Sequence, residues 1–197
     1  FTADSKGNLV DETLDFTRWD RHLGDLMSVN ADTYLVWVEG HKILFWPMRL
    51  EGQKWSEPKA GSFGVERWSP RFNEIFAKWI VAFRKHMDSK GLPPDRWAFY
   101  IMDEPRPGGS LQEVTEFARQ AKKADPQVRH FITLPIKHGH DAQYTEVSEY
   151  VDILQMIGVP QSALMEVMRR NAREIWSYGI ALRGENHFSS YRRRLCW

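Results

Sequence analysis

Apolar residues in this chain follow two alternating patterns, one typical of amphipathic helices and one typical of buried strands. The helical pattern is clearest after Ser69, where apolar residues recur on one face until Gly91. Ser69 supplies an N-cap, Pro70 suits the first helical position, and Gly91 provides a stop. The same spacing predicts an earlier helix over Thr17–Met27, and Ser110 with Glu113 predicts a third helix that begins at a capping box.

The strand pattern occurs in short β-rich runs between these helices, at 33–38, 97–102, 129–134, 151–156 and 175–178. Helices and strands therefore alternate, which predicts parallel strands joined by right-handed crossovers. Because no glycine-rich phosphate loop follows any strand, nucleotide binding has no support. The pattern indicates an α/β fold, and part of a (β/α)8 barrel is favoured over a doubly wound sheet.

The 197 residues are fewer than the about 250 of a typical (β/α)8 barrel. The chain starts at Phe1 without an initiator Met and stops inside a predicted helix. We therefore expect residues 1–197 to be a fragment of a single catalytic barrel domain, truncated at both ends. Residues 39–68 read as a long loop, with a short hairpin near 43–45, and loops of this length are often functional.

Composition removes several classes of partner. Lys and Arg number 27 against 26 Asp and Glu, for a net charge of +1, and the run Arg192-Arg193-Arg194 reads as the polar face of a helix. Nucleic acid is therefore not expected as a partner. No apolar stretch is long enough for a membrane span. A single cysteine, Cys196, excludes an internal disulfide, and no cofactor is predicted.

His138 and His140, next to Asp141, are candidate metal ligands. This spacing occurs in metallohydrolases, but no second histidine pair with a suitable carboxylate accompanies it. A solvated polar loop is favoured, and no metal site is predicted.

Asp103 and Glu104 form the most informative motif, because they follow the apolar run 97–102 directly and precede Pro105. Catalytic groups of barrel enzymes gather at the carboxyl ends of strands. Buried carboxylates are also costly unless they are bonded or used. The pair is predicted to be catalytic. The alternative is a structural pair that caps residues 109–110 or forms an ion pair with Arg106.

Aromatic residues make up 13% of the chain, with nine Trp, eleven Phe and six Tyr. Trp176 and Tyr178 lie at alternate positions of one strand and should face the same side. They either pack in the core or form the floor of a sugar site. With Tyr100, they are the predicted substrate-binding residues.

The segment 100–105, Tyr-Ile-Met-Asp-Glu-Pro, resembles the active-site strand of glycoside hydrolase family 123 and its uncharacterised relatives. The order of the later motifs is also similar, including the turn at Asp125-Pro126 and the strand Trp176-Ser177-Tyr178. The resemblance implies a (β/α)8 barrel and a retaining β-N-acetylgalactosaminidase acting on an oligosaccharide or glycoconjugate. It also implies a periplasmic or extracellular location.

Carried over by motif position, Glu104 would be the general acid/base and Asp103 would orient the 2-acetamido group of the substrate. The acetamido oxygen would then replace an enzyme nucleophile. Two alternatives stay open. One is a glycosidase that takes a separate nucleophile from Glu185 or from outside the fragment, and the other is a carbohydrate-binding barrel without turnover.

Overall fold

The structure, a computed structural model, describes residues 14–29, 31–38, 68–137, 139–157 and 162–178. The helices in these ranges are α1 Thr17–Met27, α2 Pro70–Ser89, α3 Ser110–Ala124, α4 Asp141–Ser148 and α5 Ser162–Asn171. The strands are β1 Tyr34–Trp37, β2 Trp97–Tyr100, β3 His130–Pro135, β4 Ile153–Ile157 and β5 Glu174–Tyr178, with a 3-10 turn at Pro94–Arg96 before β2.

All five strands join one parallel sheet in the order β1-β2-β3-β4-β5, so the predicted α/β class and its parallel pairing are confirmed. Strand β2 ends at Tyr100, earlier than the predicted residue 102. The Ile101 N–H nevertheless donates to the Phe131 carbonyl at 3.2 Å, which keeps the chain beside β3 for one more residue.

The two faces of the sheet differ in how they are covered. On one face, alternate strand residues such as Phe99 and Leu154 share a core with buried side chains from every described helix. On the second face, a smaller cluster contains Ala98, Phe131 and Ile153. Parallel strands in sequential order, with the described helices on one face, are compatible with a section of an α/β barrel; a doubly wound sheet carries helices on both faces.

Helix α2 begins and ends where the sequence predicted. The Ser69 hydroxyl accepts a hydrogen bond from the Phe72 N–H at 3.2 Å, and Pro70 is the first helical residue. Gly91 follows the helix with a φ of 76°, a backbone angle that glycine adopts without strain. The aromatic face of α2 packs on the sheet, where Trp79 stacks on Phe99 at 5.7 Å between ring centroids.

The predicted capping box at the start of α3 is wrong. The residue before the helix is Gly109, which has no side chain to cap it, and Ser110 is already helical. The Ser110 hydroxyl instead accepts a hydrogen bond from the Arg106 N–H at 2.7 Å. Glu113 accepts one from the Trp68 indole at 3.3 Å. The side chains of Ser110 and Glu113 therefore bind residues that lie outside the helix, near its start, and do not cap it.

Several predicted features lie outside the described residues, namely most of the loop 39–68 with its hairpin, His138, Glu185, the run 192–194 and the final helix. No described helix combines the length and the apolar character needed to cross a bilayer.

Candidate functional site

Asp103 and Glu104 lie at the edge formed by the carboxyl ends of the five parallel strands, here called the carboxyl rim. Both side chains are exposed, whereas Ile101 and Met102 just before them are buried. The chain therefore leaves the core at Asp103. The acid pair is solvent-accessible on the edge where barrel enzymes carry their catalytic groups.

A short chain of hydrogen bonds holds Asp103. The Tyr100 hydroxyl donates to Asp103 Oδ1 at 2.6 Å. The same hydroxyl lies 2.6 Å from Thr133 Oγ1 on the neighbouring strand β3. Thr133 is 1% exposed, so the chain runs from a buried hydroxyl on β3 to an exposed carboxylate beyond β2. Among the described residues, Asp103 Oδ2 has no hydrogen-bond partner, so that oxygen can accept from another donor.

Glu104 has a different environment. Its φ is 46°, in the left-handed region that non-glycine residues rarely adopt. Such a conformation costs roughly 1–3 kcal/mol, and strained residues of this kind cluster at functional sites. Within the described ranges, neither Glu104 nor Asp103 forms an ion pair with Arg106, so the structural alternative of an Arg106 pair has no contact to support it. Glu104 is the less restrained member of the pair.

Four aromatic rings, here called the aromatic row, run across the second face of the sheet below this edge. Trp37, Tyr100 and Phe131 stand in register on β1, β2 and β3, and Trp176 follows on β5. Successive ring centroids are 4.1, 4.6 and 5.4 Å apart. Trp37 is 48% exposed, and it offers a broad apolar surface beside the hydroxyl that holds Asp103.

The structure brings together two of the three predicted substrate-binding residues. Tyr100 and Trp176 both pack on the Phe131 cluster, and the Trp176 indole donates to Glu174 Oε2 at 3.0 Å. Tyr178 ends β5 in register with Ile157, and its side chain lies outside the described part of the chain.

The loop that carries the acid pair is tied to the next loop of the carboxyl rim. The Gly108 N–H donates to Gln143 Oε1 at 3.1 Å. Tyr144, on the same helix, donates to the Pro135 carbonyl at 2.9 Å and accepts from the Lys137 N–H at 3.0 Å. Burial raises the pKa of the Tyr144 hydroxyl, so it stays protonated and can make both bonds. Helix α4 therefore fixes both loops.

No metal site accompanies this arrangement in the described ranges. There, no group of three or more His, Cys, Asp or Glu side chains is placed to hold an ion. His140 precedes α4 directly, and His138 lies outside those ranges.

Charged residues also gather at the opposite edge, here called the amino rim, where the strands begin. Asp152 is 6% exposed and accepts from Lys122 Nζ at 2.8 Å and from the His130 N–H at 2.9 Å. Arg173 Nε lies 3.4 Å from the same carboxylate. Close by, Arg129 forms an ion pair with Glu174. Each carboxylate here is matched to cations and N–H groups of the scaffold.

The imidazole of His130 is neutral within this network. Burial and the nearby Lys122 ammonium lower its pKa to about 3, against smaller opposing effects of Asp152 and the Tyr150 carbonyl. Its Nδ1 lies 3.8 Å from Asp152 Oδ2, but the two groups do not form an ion pair because the ring carries no charge. The interaction that does link the two residues is the backbone N–H bond to the carboxylate.

Sequence reasoning missed Thr133 and Trp37. Thr133 is a polar residue inside the apolar strand β3, and that break in the pattern was the available signal. Gln155 breaks the pattern of β4 in the same way and stands in register with Thr133 and Trp176. The alternation of side chains along each strand predicts that Thr133 and Gln155 lie on the same face of their strands as Phe131 and Ile153. The contact between Thr133 and Tyr100, however, depends on how β2 and β3 pair.

No protein-family model matches this sequence, and a comparison with curated proteins gives no match. Function is therefore inferred from the residues of the carboxyl rim and from the resemblance of the motif that contains them.

Proposed function

We propose that residues 1–197 belong to the (β/α)8 catalytic domain of a glycoside hydrolase that removes a terminal β-linked 2-acetamido sugar, with N-acetylgalactosamine favoured. The observation that supports this best is the hydrogen bond between Tyr100 and Asp103 at 2.6 Å. It holds one carboxylate in place directly beside the less restrained Glu104, on the rim where barrel enzymes act.

In this proposal Glu104 is the general acid/base. Its protonated carboxyl group donates a proton to the glycosidic oxygen as the bond from that oxygen to the anomeric carbon breaks. The carbonyl oxygen of the substrate's acetamido group attacks the anomeric carbon from the other side and closes a five-membered ring. A water molecule then attacks the anomeric carbon and gives a proton to the Glu104 carboxylate, while the bond between that carbon and the acetamido oxygen breaks and the ring opens. Two inversions give net retention.

Asp103 stabilises the acetamido group during ring closure. Its carboxylate accepts a hydrogen bond from the acetamido N–H and offsets the positive charge that develops on the cyclised group. Because the Tyr100 hydroxyl already donates to Oδ1, we propose that Oδ2 accepts the hydrogen bond from the acetamido N–H. An oriented carboxylate is what this step requires.

The adjacency of the two acids is also consistent with substrate assistance. A retaining enzyme with its own nucleophile needs two carboxyl groups about 5 Å apart on opposite sides of the bond. Neighbouring residues on one loop approach from one side. The left-handed φ of Glu104 gives it a backbone direction unlike that of Asp103, which suits two different tasks.

The aromatic row supplies a surface for the sugar. Pyranose rings have an apolar face of C–H groups, and Trp and Tyr rings offer complementary apolar area. Trp37, Tyr100 and Trp176 are proposed to form this floor, together with Tyr178. The half-exposed Trp37 also supports a second candidate, a carbohydrate-binding barrel without turnover.

The test uses the full-length protein and two aryl β-glycosides that differ in one substituent, 2-acetamido or 2-hydroxyl. We expect hydrolysis of the 2-acetamido sugar and little of the 2-hydroxy sugar. Asp103→Asn should slow the first reaction, because an amide cannot offset the developing charge. Asp32→Asn is the matched control, since Asp32 is exposed near the amino rim.

Each other outcome selects an alternative. Equal rates on both sugars would exclude substrate assistance and point to a separate carboxylate nucleophile. Binding of either sugar without hydrolysis would favour the carbohydrate-binding barrel.

A further inference from the structure

We propose that Thr133 is a positioning residue for Asp103 and acts through the hydroxyl of Tyr100; this inference rests on the proposed function. Thr133 Oγ1 and Asp103 Oδ1 each lie 2.6 Å from the Tyr100 hydroxyl, so one oxygen joins the two strands. Thr133 is remote enough from the acid pair that neither motif nor resemblance singles it out.

The number of protons on Asp103, Tyr100 and Thr133 determines which group donates and which accepts in each hydrogen bond. An ionised carboxylate can only accept, so the single Tyr100 proton points to Asp103. The Tyr100 oxygen then acts as an acceptor, and the Thr133 hydroxyl is the donor. Thr133 therefore sets the direction of the Tyr100 proton, and that proton holds Asp103 Oδ1.

The surroundings make Thr133 a rigid anchor. It is 1% exposed, β-branched, and paired in register with Gln155 on β4. The Tyr100 ring stands between the rings of Trp37 and Phe131, with distances between ring centroids of 4.1 and 4.6 Å, and these neighbours limit its rotation. Removal of the Thr133 hydroxyl leaves the Tyr100 oxygen without this donor and loosens Asp103.

The substitution Thr133→Val keeps the shape of the side chain and deletes the hydroxyl. We expect it to lower kcat on the 2-acetamido substrate roughly 3–10-fold, the usual value of one hydrogen bond. KM should change little, because Asp103 acts most strongly on the charge of the transition state. Thr133→Ser keeps the hydroxyl and should therefore retain most of the activity that Thr133→Val loses.

Tyr100→Phe completes a double-mutant cycle. If Thr133 acts through Tyr100, then Thr133→Val should have no further effect in the Tyr100→Phe background. Thr115→Val is the matched control, since Thr115 is also buried but its hydroxyl donates to the Leu111 carbonyl within α3. This control should leave kcat unchanged.

Crystal structures of the variants give a readout that needs no activity. Asp103 should occupy one rotamer in the wild type and in Thr133→Ser, and several in Thr133→Val. A single unchanged rotamer in Thr133→Val, or independent effects of the two substitutions on kcat, would overturn the proposal. If the rotamer result holds and no glycoside is cleaved, the proposed function fails and the positioning role of Thr133 stands.

Discussion

At the amino rim, Asp152 is buried against Lys122 and the N–H of His130, whereas at the carboxyl rim Asp103 and Glu104 are exposed. The two edges belong to one parallel sheet and use the same types of side chain. At the amino rim, the carboxylates of Asp152 and Glu174 are paired with cations and N–H groups of the scaffold. At the carboxyl rim, Tyr100 orients the carboxylate of Asp103, and the backbone of Glu104 is in a strained conformation.

The difference in burial between the two rims indicates which carboxylates stabilise the fold and which are available for chemistry. A buried carboxylate that is matched to cations stabilises the fold, and its removal leaves those cations and N–H groups without a partner. An exposed carboxylate contributes little to folding and is free to meet a ligand. Substitution of the buried Asp152 should therefore change the free energy of unfolding, and substitutions at Asp103 and Glu104 should change turnover.

The largest expected effect is that of Glu104→Gln in the full-length protein. If Glu104 is the general acid as proposed, its replacement should lower kcat on a 2-acetamido glycoside roughly 10²–10⁴-fold. The unfolding midpoint should not fall, because Glu104 is exposed and because its positive φ costs the same backbone strain with Glu as with Gln. Glu149→Gln, an exposed control near the amino rim, should keep full activity. A Glu104→Gln variant with unchanged kcat would remove the residue from the mechanism.

Asp152→Ala should show the opposite behaviour. It leaves the Lys122 ammonium and the His130 N–H without their partner, and we expect the free energy of unfolding to fall by about 3 kcal/mol. Denaturant titration measures this loss. The kcat of the remaining folded protein should be close to that of the wild type. If Asp152→Ala were as stable as the wild type, the amino rim would have no special role in stability.

His130 should make stability depend on pH. Its pKa is lowered in the fold to about 3, whereas an unfolded histidine takes up a proton near pH 6.5. Below that pH the unfolded chain binds the extra proton, so stability is lost as the pH falls from about 6.5 towards 3, by up to about 1.4 kcal/mol per pH unit.

The matched variant is His130→Gln, which does not titrate and can still donate to the Tyr150 carbonyl that His130 Nδ1 contacts. Its free energy of unfolding, measured from pH 7 to 4, should vary less steeply than that of the wild type. Parallel pH profiles for the two proteins would contradict a neutral, buried His130.

The smallest expected effect sharpens the comparison at the carboxyl rim itself. Ser69 is a polar residue near this rim, but its hydroxyl caps α2 through the Phe72 N–H. Ser69→Ala should cost about 1 kcal/mol of stability. Activity should not change, and Ser69→Asp should restore the cap. A loss of turnover without a loss of stability would place Ser69 in the site.

Most of the fold could be predicted from the sequence because local signals were strong. The apolar runs and the Ser69-Pro70 start identify β2 and α2, and alternation with the other runs predicts parallel pairing. The error at Ser110 is instructive. The capping pattern was present, but the turn before it places Gly109 at the cap and turns the serine hydroxyl back to Arg106.

The candidate site was predictable only in part. The placement of Asp103 and Glu104 follows from where an apolar run ends, which is local information. The bond from Tyr100 to Thr133 depends on the pairing of β2 with β3. Trp37 joins the aromatic row for the same reason, through its register with Tyr100 on β2. Cross-strand contacts of this kind need the register, which no single strand encodes.

The most direct test of the central claim uses substrates with a graded nucleophile. Aryl β-glycosides are prepared with zero, one, two or three fluorines on the 2-acetamido methyl group, and kcat/KM of the full-length protein is measured on each. Fluorine withdraws electrons and weakens the attack of the carbonyl oxygen. If the acetamido group held by Asp103 is the nucleophile, the logarithm of kcat/KM falls steadily with each fluorine. A rate that does not change across the series would contradict substrate assistance and the role proposed for Asp103.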